Sequence, residues 1–275
     1  MSVTTADVVK LRHATGAGMM DCKNALVEAE GNFDRAVEII RERGKLVASK
    51  RADREATEGC VLAGVTGDKK FGAVVVLNCE TDFVAKNEKF IAFTTQILDA
   101  ALACQPATLE ELKNIMLDGR SIGDQVTEQV GIIGEKLDLS FYGKVKAETV
   151  APYIHPGNKL ATIVGFNKEG IEAQLGKDVA MQVAAMNPVA VSREVIPQEV
   201  INKELEIAKE KFRLEGKPEA MLDKIAQGAL QKWFQDSALL EQTYVKDGKI
   251  SVKQYLEQND KSLTVTAFER YALDA

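Results

Sequence analysis

Asp82 and Phe83 place a carboxylate and a large aromatic side by side within Leu77-Asn78-Cys79-Glu80-Thr81-Asp82-Phe83-Val84-Ala85-Lys86-Asn87. At a chain corner such a pair is suited to entering a partner's pocket, with the ring as apolar anchor. The competing reading makes Phe83 an ordinary core residue and Asp82 an ordinary helix cap, since aromatics are buried on average. Covalent chemistry has thinner support. Cys79 beside Glu80 is a conceivable nucleophile, but no glycine elbow surrounds it, and a cysteine late in an apolar strand is more often inert. A base would have to be His13 or His155, and neither has an orienting carboxylate nearby in sequence. No Gly-x-Gly-x-x-Gly follows a strand and no Gly-x-x-x-x-Gly-Lys loop is present, so the chain has no phosphate cradle of these kinds. Cys22, Cys60, Cys79 and Cys104 form no Cys-x-x-Cys pair, which argues against both a zinc site and a disulfide framework.

The elements around Phe83 follow from local pattern. Ala73-Val74-Val75-Val76-Leu77, bounded by Gly72, predicts a buried strand. Thr81 and Asp82 are good helix caps, so a helix is expected over 82–103, with Phe83 in its first turn. Gly59–Val65 and Phe71–Cys79 flank the turn Thr66-Gly67-Asp68-Lys69-Lys70 and predict an antiparallel hairpin. A weaker copy follows: a strand over 144–150, the turn 153–158, a strand over 160–166 and a helix over 178–186. Residues 108–136 read as a helical crossover between the two units.

The ends of the chain differ from this middle. The first 44 residues predict three short helices, the first capped by Thr5 or Asp7 and the last opened by Asn32 and closed at Gly44. Residues 45–58 are charged and alanine-rich and read as a partly helical linker. Residues 198–235 carry two apolar stripes at helical spacing, separated by Gly216-Lys217-Pro218, a helix stop directly before a helix start. This is an antiparallel helical hairpin. A short helix near 252–257 and a strand over 263–268 are expected beyond it, the strand returning to the second unit.

Composition bounds the function. At 275 residues the chain can hold about two domains. Its net charge of -6 argues against a general nucleic-acid binder, which shows a basic footprint. The nearest approach to a membrane span, 91–109, is broken by Thr94, Thr95, Gln96 and Asp99. With no signal-peptide pattern visible and its thiols expected to be reduced, a cytoplasmic location is the simplest expectation.

Two motifs then point to a family. Thr15-Gly16-Ala17-Gly18-Met19-Met20-Asp21-Cys22-Lys23 and Thr81-Asp82-Phe83-Val84-Ala85-Lys86, in this order and followed by the Gly-Lys-Pro hairpin, closely resemble the bacterial translation elongation factor Ts family. Members of that family are guanine-nucleotide exchange factors of elongation factor Tu. The resemblance covers nearly the whole chain. It implies an α+β fold with an N-terminal three-helix ubiquitin-associated-like domain, a two-subdomain α+β core with antiparallel sheets, and a protruding coiled coil. On this chain those are residues 1–44, a linker 45–58, one core subdomain 59–143, a second core subdomain 144–190 and 236–275, and the coiled coil 191–235 inserted in it.

The resemblance also implies roles. Thr81, Asp82, Phe83 and Val84 match the wedge that dislodges magnesium from the partner. Arg12, Met19 and Met20 match positions that dock on the partner's nucleotide-binding domain. His155 matches a histidine that contacts the partner's third domain. No catalytic residue, cofactor or metal of the chain's own is implied, and no direct contact with nucleic acid or membrane. Dimerisation of the complex through the coiled coil stays open. Some members carry a further C-terminal helical module that touches the partner. This chain is expected to lack it, since its sequence runs out at Phe268–Ala275, about where the core's last strand should end. Bottom-up, Met19 and Met20 read equally as core packing, and His155 as an exposed loop residue. The rival function is an adaptor or chaperone-like protein that binds its partner regardless of nucleotide.

Overall fold

The structure, a computed structural model, describes residues 3–273. Three helices come first: α1 (Thr5–Thr15), α2 (Met19–Glu28) and α3 (Phe33–Lys50). Thr4, not Thr5 or Asp7, caps α1, in a reciprocal box in which Asp7 returns the bond to the Thr4 amide. Asn32 caps α3. Then come β1 (Glu58–Val65), β2 (Phe71–Cys79), α4 (Asp82–Ala85), α5 (Glu88–Cys104) and α6 (Leu109–Asn114). A two-strand ribbon, β3 (Met116–Leu117) and β4 (Arg120–Ser121), leads into α7 (Ile122–Ile133). The second half holds β5 (Asp138–Lys146), β6 (Thr149–Ile154), β7 (Leu160–Phe166) and α8 (Ala173–Met186). It continues through α9 (Gln198–Leu214), α10 (Glu219–Ser237), β8 (Thr243–Tyr244), β9 (Asp247–Ser251), α11 (Val252–Asn259) and β10 (Val265–Ala272). The fold is α+β, with every paired strand antiparallel.

Two three-stranded sheets, β1-β2-β5 and β10-β7-β6, pack face to face. The layer between them holds Val61, Val74, Val76 and Val145 from one sheet and Val150, Ala161 and Ile163 from the other. On the outer face of the first sheet, Cys60, Leu62, Val75 and Leu77 meet Ile97, Leu98 and Ala101 of α5. On the outer face of the second, Val164 and Phe166 meet Leu175, Val179 and Val183 of α8. Strand β2 is therefore covered on both faces, which is why it reads as an unbroken apolar run. The sheets approach so closely that a Cβ on Gly165 would lie 2.7 Å from Val145 Cγ1.

Four further expectations need correction. The helix expected to close at Gly44 continues to Lys50, because Gly44 is a crossing point rather than a cap. A Cβ on Gly131 of α7 would come within 2.3 Å of the Gly44 Cα, so two glycines let α3 and α7 touch backbone to backbone. Residues 45–58, expected to be partly helical, are helical through Lys50, where Val47 and Ala48 pack against the core. The helix expected over 82–103 is two helices, since Asn87 leaves α4 and caps α5 through Lys89 N at 2.9 Å. The strand expected over 144–150 belongs to two strands: β5 closes the first sheet and β6 opens the second. Packing across the sheets separated these, not local pattern. Finally, the 108–136 crossover contains the β3–β4 ribbon between its helices.

Candidate partner-binding site

Strand β2 delivers a buried Cys79, and the chain turns at once through Glu80 and Thr81 into α4. The Thr81 hydroxyl accepts from Val84 N at 3.4 Å and caps the four-residue helix. Successive helical side chains turn by about 100°. Ala85 is buried and Val84 packs on the core, so Phe83 is swung outward. Its ring is 84% exposed, the largest exposure among the large apolar residues of the described chain. Asp82 does not cap; it pairs with Lys86 one turn on, at 2.6 Å. That hydrogen bond holds the Asp82 carboxyl below the usual carboxylate range, with the charge of Lys159 adding to it.

The turn beneath Phe83 is clasped by two carboxylates in reciprocal fashion. Glu135, just beyond α7, accepts Glu80 N at 3.1 Å, Thr81 N at 3.0 Å and the Thr81 hydroxyl at 2.7 Å. Glu80 accepts Lys136 N at 2.6 Å in return, together with Arg51 at 2.7 Å and Arg54 at 3.0 Å. The Lys136 ammonium donates to the carbonyls of Ala52 and Arg54, each at 2.7 Å. The end of α3, the exit of β2 and the end of α7 therefore meet in one polar knot. The Lys136 amide and the two arginines hold the Glu80 carboxyl down at about 2.

The turn between β6 and β7 reaches the same corner. His155 is exposed, and its Nδ1 lies 2.9 Å from the Tyr153 hydroxyl. Asn158 and Gly157 take left-handed backbone there, and the Asn158 carbonyl accepts Val61 N at 2.7 Å. Lys159 pairs with Glu58 at 2.9 Å and stands near Asp82. The structure thus brings Thr81–Val84 and His155 to one end of the stacked sheets.

Arg12, Met19 and Met20 belong to the helical unit instead. Cys22, Ala25 and Leu26 take the buried face of α2, which leaves Met20 64% and Met19 37% exposed. Arg12 is exposed at the end of α1, where Gly16 closes the helix in left-handed backbone. These three are not gathered at the Phe83 corner; α3 links their unit to it through Arg51.

Nucleophilic chemistry finds little purchase. Burial pushes the Cys79 thiol up to about 12 and the Cys60 thiol to about 11, so neither is a thiolate near neutral pH. Among the described residues no cluster of three or more His, Cys, Asp or Glu could hold a metal, and no helix is long and apolar enough to cross a membrane. Sequence reading missed Glu135, Lys136 and Arg51, since no local spacing ties positions 51 and 135 to 80.

The comparisons with known proteins agree with one another. The family model described as Elongation factor TS matches residues 80–275. A protein called Elongation factor Ts from Porphyromonas gingivalis is 53% identical over the full length of both chains. One from Azobacteroides pseudotrichonymphae is 50% identical, covering all of this chain and 99% of its own. A third, from Bacteroides fragilis, is 41% identical with both chains fully covered.

Proposed function

The chain belongs to the elongation factor Ts family of translation elongation factors that act in nucleotide exchange, and from that premise we propose that it binds elongation factor Tu carrying GDP and loosens the nucleotide by inserting Phe83 beside the bound magnesium. The observation that carries this reading is a ring 84% exposed on a turn that is otherwise firmly anchored. A large apolar side chain in water gains by entering a partner's pocket, and a fixed base directs it there.

No bond is made or broken by this chain. The partner holds GDP through its phosphates and a magnesium ion. Moving the elements beside that ion removes a large local positive charge, and the phosphate contacts weaken. Thr81 and Val84 seat the turn, and Asp82, paired with Lys86, holds its first residue. Arg12, Met19 and Met20 dock on the nucleotide-binding domain, where methionine's flexible thioether suits an adaptable surface. His155 touches the third domain. The helical unit, two-part core and α9–α10 arm act as separate contact regions, and the place of action is the cytoplasm.

The driving force is differential affinity. The factor must hold the nucleotide-free partner more tightly than the GDP-bound one, and by reciprocity nucleotide weakens the factor by the same ratio. A protein binding both states equally would shift nothing. Release of fluorescent GDP from elongation factor Tu by stopped flow tests this. Acceleration at catalytic amounts of the chain is expected. Binding without acceleration would replace the reading with a nucleotide-insensitive adaptor.

A further inference from the structure

Phe83 rides on four residues of helix, and a single turn has no stability of its own because nucleating a helix is unfavourable. Its direction is therefore set by what grips its ends. The far end is held by buried Ala85 and by Asn87, which starts the next helix. The near end depends on Thr81. A hydroxyl carries one proton and two lone pairs, whereas a carboxylate only accepts. Glu135 Oε1 takes the Thr81 proton at 2.7 Å, which leaves a lone pair facing Val84 N for the cap. The other oxygen, Oε2, takes the amides of Glu80 and Thr81 at 3.1 and 3.0 Å. Three donors from two adjacent residues converge on one carboxylate supplied from 54 residues away.

That carboxylate is itself placed. Gly134 ends α7 in left-handed backbone, and the next residue is Glu135. The amide of Lys136 is then held by the Glu80 carboxylate at 2.6 Å. Neither segment can shift without breaking a charge-assisted hydrogen bond on the other, and such bonds are about twice as strong as neutral ones.

We propose that Glu135 is a positioning residue for nucleotide exchange, orienting Thr81 and through it the turn that presents Phe83. It touches neither nucleotide nor partner in this role; it acts only through Phe83. The inference rests on the exchange reading above and adds a residue from a different part of the chain to it.

The test uses the full chain and elongation factor Tu loaded with fluorescent GDP, titrating wild type, Phe83→Ala, Glu135→Ala, Thr81→Val and the Phe83→Ala/Glu135→Ala double variant. Glu135→Ala is expected to lower the saturating release rate about tenfold, with Thr81→Val moving it the same way, on the scale of a lost cap and charged hydrogen bond. The concentration giving half the maximal rate should stay within about threefold, because docking through the helical unit is untouched. The double variant should match Phe83→Ala alone, since a residue acting only through Phe83 has nothing left to position. The inference is overturned if Phe83→Ala is slow while Glu135→Ala exchanges at the wild-type rate. It is overturned equally if Glu135→Ala slows the Phe83→Ala background as much as wild type, which marks general destabilisation. Should Glu135→Ala fail to fold, Thr81→Val reads the same hydrogen bond, and a wild-type rate there overturns it. A wild-type rate for Phe83→Ala sinks the exchange reading itself, and the inference with it.

Discussion

The two strand–strand–helix units of the core use carboxylate networks for opposite ends. In the first unit, β1–β2 followed by α4 and α5, the network lies at the strand exit and steadies a turn whose aromatic faces water. In the second, β6–β7 followed by α8, the exit from Asn167 to Glu172 presents no large exposed apolar side chain. The polar network there is inside. Asp178 of α8, 5% exposed, accepts from Lys246 and Gln174 at 2.6 Å, from Tyr244 at 3.1 Å and from Tyr255 at 3.2 Å. One helical turn on, Gln182 donates to Gln242 Oε1 and the Thr243 carbonyl and accepts Val245 N. These bonds hold the segment by which the chain returns from the α9–α10 arm. Similar strand–strand–helix order therefore carries two arrangements, which differ in where each unit puts its charge: near the surface beneath an exposed aromatic, or in the interior at the root of an arm.

The sharpest way to break this comparison is to remove the buried carboxylate. Asp178→Ala leaves two largely buried tyrosine hydroxyls without their acceptor and unpairs the half-exposed Lys246 ammonium, a loss of about 3 kcal/mol carried mainly by the hydroxyls. Chemical denaturation should show that loss, while the surviving folded fraction exchanges nucleotide normally. A drop in exchange beyond the folded fraction would mean that the interior network also serves the site.

Phe83→Ala should behave in the reverse sense. Truncating a central aromatic anchor costs about 2 kcal/mol or more in the interaction it makes, so GDP release should slow by roughly thirtyfold. Stability should stay within about 0.5 kcal/mol, because an exposed side chain leaves no cavity. Unfolding of this variant would show that the ring belongs to the core after all.

A smaller effect is expected at the second exit. Asn167 donates to the Ser262 carbonyl and accepts Thr264 N, both at 2.8 Å, which stitches the strand exit to β10. Asn167→Ala should cost about 1 kcal/mol in thermal or denaturant unfolding and leave exchange unchanged. An exchange defect would give both exits the same task.

Acid should show an effect of definite sign. The Glu80 carboxyl falls from the ordinary 4.5 to about 2 on folding, so its stabilisation is complete above pH 4.5 and fades as pH drops toward 2. Replacing it in Glu80→Gln should flatten that stretch of the stability–pH curve. An unchanged curve would mean that the Lys136 amide and the two arginines do not hold this carboxyl down in the folded state.

Much of this architecture is legible in the chain. The β1–β2 hairpin follows from an apolar run bounded by glycine and a polar turn, and the register between Glu58 and Cys79 fits it. The start of α3 follows from Asn32, and the break between α9 and α10 from Gly216, which takes left-handed backbone before Pro218. The site is only partly legible. Thr81 is a cap by type, and the motif singles out Asp82 and Phe83, but the local pattern alone favours the core for Phe83, and its exposure overturns that reading. Gly44 misleads outright, since a glycine that ends a helix and one that lets two helices touch look alike in sequence.

What the sequence determined by itself is most of the helices and strands and the α+β class, because caps, periodicity and turn residues act within about four positions of one another, and, by the resemblance of two motifs, the family. What only the tertiary structure decided is the strand that closes each sheet, the glycine crossing of α3 and α7, the exposure of Phe83 and the grip of Glu135 on its turn. Each of these depends on groups tens of residues apart meeting in space. That meeting is settled by which faces bury each other and which donors find acceptors, and no local spacing encodes it.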